Sequence, residues 1–158
     1  GHDLIVNKNV FDFAYVGLIR LVFPEARLVH IRRDLRDAAL SMYFQDFKDV
    51  RFADRFSDIV RFIGEYLRLM EHWRHVLHIE MLEVDYELLI DDEQERRKLV
   101  HYAGLEWDDD LMAEQRWRHV KVINTCSFCQ TRSPLYNSSV GRWQSYAAYL
   151  KYNFDRLV

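Results

Sequence analysis

Two short apolar runs, RLVHI at 27–31 and IEMLEVDY at 79–86, most limit what this chain can fold into. Both have strand length, and the first has the near-continuous apolar character of a strand covered on both faces. Between them, Phe56, Ile59, Val60, Ile63, Tyr66, Leu67, Met70, Trp73 and Leu77 recur at helical spacing. That period predicts a long amphipathic helix with Arg61, Glu65 and Arg68 on its wet side. Strands alternating with helices predict an α/β domain with a mostly parallel sheet.

The flanking segments fit the same plan. Phe11, Ala14, Tyr15, Leu18, Leu21 and Val22 predict a first helix that Pro24 stops. Asp34 and Asp37 stand at the N-cap and N3 positions of a capping-box-like start, predicting a helix from 34 to about 48. A helix from about 93 to 103 ends at Gly104, a polar loop covers 123–141, and a last helix runs from about 142 to 157. Only two prolines and five glycines interrupt the chain, so one continuous packed unit is expected.

Bulk properties narrow the function. The 158 residues are 49% hydrophobic and 15% aromatic, enough for a sizeable core. A net charge of −3 argues against a general nucleic-acid surface while allowing a local basic pocket. No apolar run approaches the roughly 18 residues that span a bilayer, so no transmembrane segment is expected and a soluble, cytoplasmic chain is favoured. The start at Gly1-His2, without a methionine, reads as that of an excised piece. Cys126 and Cys129 form a single CxxC with no second pair and no fitting histidines, which disfavours zinc. Two ordinary loop thiols are the preferred reading, and a redox dithiol is the alternative.

The charge pattern is sharpest in HIRRDLRDAALSMYFQDF (30–47), where Arg32, Arg33 and Arg36 follow the first strand and Ser41 sits two turns into the next helix. In open α/β sheets ligands lie beyond the carboxyl ends of the strands. An anion there would meet helix N–H groups and guanidinium forks. The plainer alternative is surface pairing of Arg32 and Arg36 with Asp34, Asp37 or Asp46.

FPEARLVHIRRDLRDAALSMYFQDF closely resembles the 3′-phosphate-binding segment of sulfotransferases that use 3′-phosphoadenosine 5′-phosphosulfate (PAPS). It looks most like the bacterial enzymes often attached to tetratricopeptide repeats, which are related to protein-tyrosine sulfotransferases. That family's form is RxPRDxxLSxYFxxF. The resemblance makes Arg33 and Ser41 the ligands of the 3′-phosphate, with Leu35 in the place of a proline. VNKNVFDFAYVGLIRLVFPEA resembles NKxPxxFxxxGLIxxxFPxA, whose lysine, Lys8 here, lies near the transferred sulfonate. LEVDYELLIDDEQERRKLVHYAGLEWD resembles YExLxxDPxxxxRxLxxFxGLxWD, whose tyrosine, Tyr86 here, contacts the adenine. VINTCSFCQTRSPLYNSSVGRWQSY resembles a closing segment that folds over the nucleotide. It implies Ser127 near the sulfonate and 5′-phosphate and Arg142 on the 3′-phosphate side, with Gln130 and Arg132 ranked lower.

The resemblance also implies a P-loop-like three-layer fold, PAPS as sulfonate donor and no metal. Two of the family's parts have no match in the chain. These are the glycine-containing phosphosulfate loop between the first strand and first helix, and the Glu or His that serves as general base. Residues 1–158 therefore read as the C-terminal part of a catalytic domain carrying the 3′-phosphoadenosine half of the site. Tetratricopeptide repeats upstream are possible in such a protein. The acceptor, whether protein tyrosine, carbohydrate or small molecule, is not legible. The competing readings are a non-catalytic nucleotide-binding or interaction module and a plain helical scaffold.

Overall fold

In the long central helix, α3 (Phe56–Glu71), the 3.6-residue period buries Phe56, Ile59, Val60, Ile63 and Met70. This is in a computed structural model that describes residues 4–45, 50–109 and 140–157. Past Glu71 the helix relaxes into a π-type turn, His72–Val76, so the predicted stretch to Leu77 is helical but not uniformly α. Trp73 is held in that turn by donating its indole N–H to the Phe13 carbonyl at 2.8 Å.

The first predicted helix divides into a 3₁₀ turn, Asp12–Tyr15, and α1, Val16–Val22. Two strands follow at the predicted places. β1 is Val29–Arg32 and β2 is Leu82–Asp85, parallel, with Val29 opposite Leu82 and Arg32 opposite Asp85. The mixed helix-and-strand architecture with a small parallel sheet agrees with the α/β expectation.

β1 departs from the expected strand buried on both faces. Val29 is 39% and Ile31 52% exposed, while Val84 of β2 is 2% exposed. Strand alternation sends His30, Arg32, Glu83 and Asp85 to the opposite face. There they form a polar layer: Arg32 donates to both Asp85 oxygens (3.0 and 3.1 Å) and pairs with Glu83 at 3.0 Å, which also pairs with Arg74 at 3.0 Å. His30 hydrogen-bonds the Tyr66 hydroxyl and lies 3.5 Å from Glu83. Burial pulls the His30 pKa below its ordinary 6.5, only partly offset by Glu83, and burial raises that of Tyr66.

Helix α2 runs Leu35–Phe44, shorter than the predicted stretch to 48. After a 3₁₀ turn, Arg51–Asp54, α3 packs on α2; a last 3₁₀ turn, Arg142–Tyr146, leads into α6, Ala147–Phe154. The core lies among these helices: Ala39 and Leu40 of α2, Phe56, Ile59, Val60 and Ile63 of α3, and Phe154 and Leu157 near the end. After β2 come α4, Tyr86–Asp91, and α5, Glu93–Tyr102. Tyr86 thus opens a helix, α4, and is not the last residue of the strand. Gly104 follows α5 at φ +79°, a left-handed conformation that glycine adopts without strain, and the tip of the Arg27 side chain lies against it. No helix among the described residues is long and apolar enough to cross a membrane.

Candidate functional site

The parallel register sets the site. Because Arg32 lies opposite Asp85, the next residues, Arg33 and Tyr86, emerge side by side at the carboxyl ends of the strands. The Arg33 guanidinium carbon stands 5.1 Å from the centre of the Tyr86 ring, a cation–π approach. One residue further, the Asp34 N–H donates to Glu87 Oε1 at 3.1 Å, stitching the two strand ends together.

This contact alters the expected capping box. Asp34 accepts the N–H groups of Arg36 (2.8 Å) and Asp37 (3.4 Å) as predicted, but Glu87, not Asp37, takes the N–H of Asp34. Two N-terminal amides of α2 are therefore occupied by a carboxylate, so an anion here would depend on side chains more than on helix N–H groups. Arg36 pairs with Asp34 at 2.5 Å, in agreement with the surface-pairing alternative, whereas Arg32 pairs across the sheet with Glu83 and Asp85. Burial would raise the Asp34 pKa, yet the Arg36 side-chain and backbone hydrogen bonds and charge hold it below 3.8, and Asp34 in turn raises that of Arg36.

Asp37 turns the other way. It is 2% exposed and accepts the N–H groups of Gly141 (2.6 Å) and Trp143 (2.8 Å). The Arg36 guanidinium lies 3.6 Å over the Trp143 ring, and the Arg142 guanidinium 4.8 Å over the Phe44 ring. Asp37, Ser41 and Phe44 follow at i, i+4 and i+7, so they share one face of α2. The chain around Arg142 therefore crosses the face that carries Ser41.

Of the sequence-predicted residues, Arg33 meets Tyr86, and Arg142 lies over Phe44, three residues beyond Ser41 on α2. Lys8 stands exposed in the segment ahead of the first 3₁₀ turn. Its neighbours are tied locally, Asn7 donating to Asp12 at 2.6 Å and Asn9 accepting the Phe11 N–H at 3.1 Å, and neither bond links Lys8 to the other four. Ser127, Gln130, Arg132, Cys126 and Cys129 lie outside the described residues. Two cavities among the described residues lie elsewhere. One of about 440 Å³ opens beside Phe13, Phe62 and Tyr66, and one of about 170 Å³ beside Arg36, Trp143 and Lys151; neither is lined by Arg33, Ser41 or Tyr86. No group of three or more metal-ligating side chains occurs among the described residues.

Sequence reading missed the use of Asp37 and Glu87. For Asp37 no sequence signal was available, because its partners are the backbone amides of Gly141 and Trp143.

Comparison with known proteins finds likeness over most of the chain. The family model described as "Sulfotransferase family" matches residues 1–109. A curated "Uncharacterized protein" of Aquifex aeolicus (strain VF5) is 34% identical over 154 residues, covering 94% of this chain and 20% of its own length. The chain thus spans about a fifth of that relative. No solved structure matches.

Proposed function

Because the chain belongs to the sulfotransferase family, we propose that it forms the 3′-phosphoadenosine-binding part of an enzyme that moves a sulfonate group from PAPS to an acceptor hydroxyl or amine. The observation that carries this reading is Arg33 standing 5.1 Å from the Tyr86 ring at the carboxyl ends of two parallel strands. One group there suits a phosphate and the other the face of a purine. Ser41 offers a hydroxyl and Arg142 a second guanidinium along α2, so the 3′-phosphate would be held from both ends of that helix. Ser127 would complete the contacts near the 5′-phosphosulfate.

In this reading the donor supplies the sulfonate and this chain orients it. Lys8, a compact mobile charge, would offset negative charge as it develops on the leaving oxygen. Positioning and charge neutralisation dominate such group transfer, without a covalent link to protein or a metal. The general base and the phosphosulfate loop would come from residues beyond this chain, within a P-loop-like three-layer domain of which 1–158 is the C-terminal part. Exposed Val29 and Ile31 on β1 are consistent with further cover on that side of the sheet.

Titration of the intact protein with 3′,5′-phosphoadenosine tests the proposal. Removing a charge-assisted phosphate contact costs about 1.5–3 kcal/mol, so Arg33→Ala should weaken binding by roughly 10- to 100-fold. Equal binding by wild type and variant, measured calorimetrically, would overturn it and favour a scaffold role.

A further inference from the structure

We propose that Asp37 is a positioning residue that sets Arg142 for the nucleotide, an inference that rests on the reading above. The carboxylate is buried, 2% exposed, on the helix that also supplies Ala39 and Leu40 to the core. A buried carboxylate is costly unless its oxygens are satisfied, and here they are satisfied by amides more than a hundred residues away in sequence. Oδ2 accepts from Gly141 at 2.6 Å and Oδ1 from Trp143 at 2.8 Å.

The two bonds bracket residue 142. Gly141 has φ +70°, a left-handed turn that glycine adopts without strain and that brings the amides before and after Arg142 onto one carboxylate. With its backbone held on both sides, the Arg142 side chain has a fixed origin at the level of Asp37. Its guanidinium lies 4.8 Å over the ring of Phe44, two turns further along α2. It therefore passes the level of Ser41, the hydroxyl assigned to the same phosphate. Trp143 locks the other side of the turn, with Arg36 at 3.6 Å over its ring and Phe154 edge-on at 5.8 Å. One carboxylate thus couples the first turn of α2 to the direction of an arginine that arrives from the far end of the chain.

The test compares 3′,5′-phosphoadenosine with adenosine 5′-phosphate, because only the first carries the 3′-phosphate. Affinities of both are measured in the intact protein for wild type, Asp37→Asn, Arg142→Ala and the double variant. The asparagine keeps the shape but offers one acceptor oxygen where two N–H groups need one each. We expect wild type to prefer the 3′-phosphorylated nucleotide. Asp37→Asn and Arg142→Ala should each cut that preference by ~10-fold, leave the binding of adenosine 5′-phosphate unchanged, and lose no more together than Arg142→Ala alone. A folded Asp37→Asn protein that keeps the wild-type preference, or a double variant whose losses multiply, overturns the role of Asp37 and leaves the nucleotide reading intact. A wild type that binds both nucleotides alike overturns the nucleotide reading and this inference with it. Should Asp37→Asn fail to fold, amide exchange in wild type without nucleotide decides: protected Gly141 and Trp143 amides support the bracket, and exchange at the rate of open chain overturns it.

Discussion

The contact between α2 and α3 and the outer layer of the two-stranded sheet are built by opposite means. In the first, Leu40, Ile59 and Ile63 are each no more than 2% exposed and carry no polar partner to satisfy. In the second, His30, Arg32, Tyr66, Arg74 and Glu83 gather on one face of the sheet and are joined by hydrogen bonds and ion pairs. The apolar contact tolerates small shifts because dispersion is non-directional, whereas the polar layer depends on who faces whom. Burial, and with it stability, is therefore concentrated around α2 and α3, while the polar layer fixes register and so the place where Arg33 emerges.

The largest expected effect tests the apolar side. Leu40→Ala should lower unfolding free energy by about 2–5 kcal/mol in denaturant titration; a loss under about 1 kcal/mol would mean that α2 is not the centre of the core. A smaller effect should come from Glu83→Gln, which keeps shape but removes the charge shared by Arg32 and Arg74. These arginines are partly exposed, so about 1 kcal/mol is expected, and a loss matching that of Leu40→Ala would erase the distinction between the two regions. The smallest effect is a dependence on pH. The His30 pKa is lowered by folding, so the unfolded chain takes up the proton first. That contribution is whole above 6.5 and is lost as pH falls through the lower folded value. Asp34, also lowered, acts in the same direction below 3.8. Denaturation midpoints measured between pH 7.5 and 3 should fall in two stages, and His30→Gln should flatten the upper one.

The same contrast explains what the sequence made legible. Apolar periodicity located α3 and the helix before Pro24, and short apolar runs located both strands to within three residues, because burial leaves a repeating trace. The Asp34–Arg36 pair was legible because it is local. Arg32 was assigned to nearby aspartates, yet register hands it to Glu83 and Asp85, more than fifty residues away. Tyr86 was placed at the end of a strand, whereas it begins α4; nothing in YELLID separates a strand end from a helix start. Asp37 was read as half of a capping box because its partners, the amides of Gly141 and Trp143, are backbone groups that no residue identity announces. Of the candidate site, the residue types were readable from motif resemblance, and the pairing of Arg33 with Tyr86 required the parallel register.

Arg32 and Arg36 each reach carboxylate oxygens within about 3 Å. Positive charge counted along 32–36 therefore overstates the long-range pull of this corner on a passing polyanion. Selectivity here would be exercised at touching distance, by fit, and would survive added salt better than capture by an unbalanced basic surface.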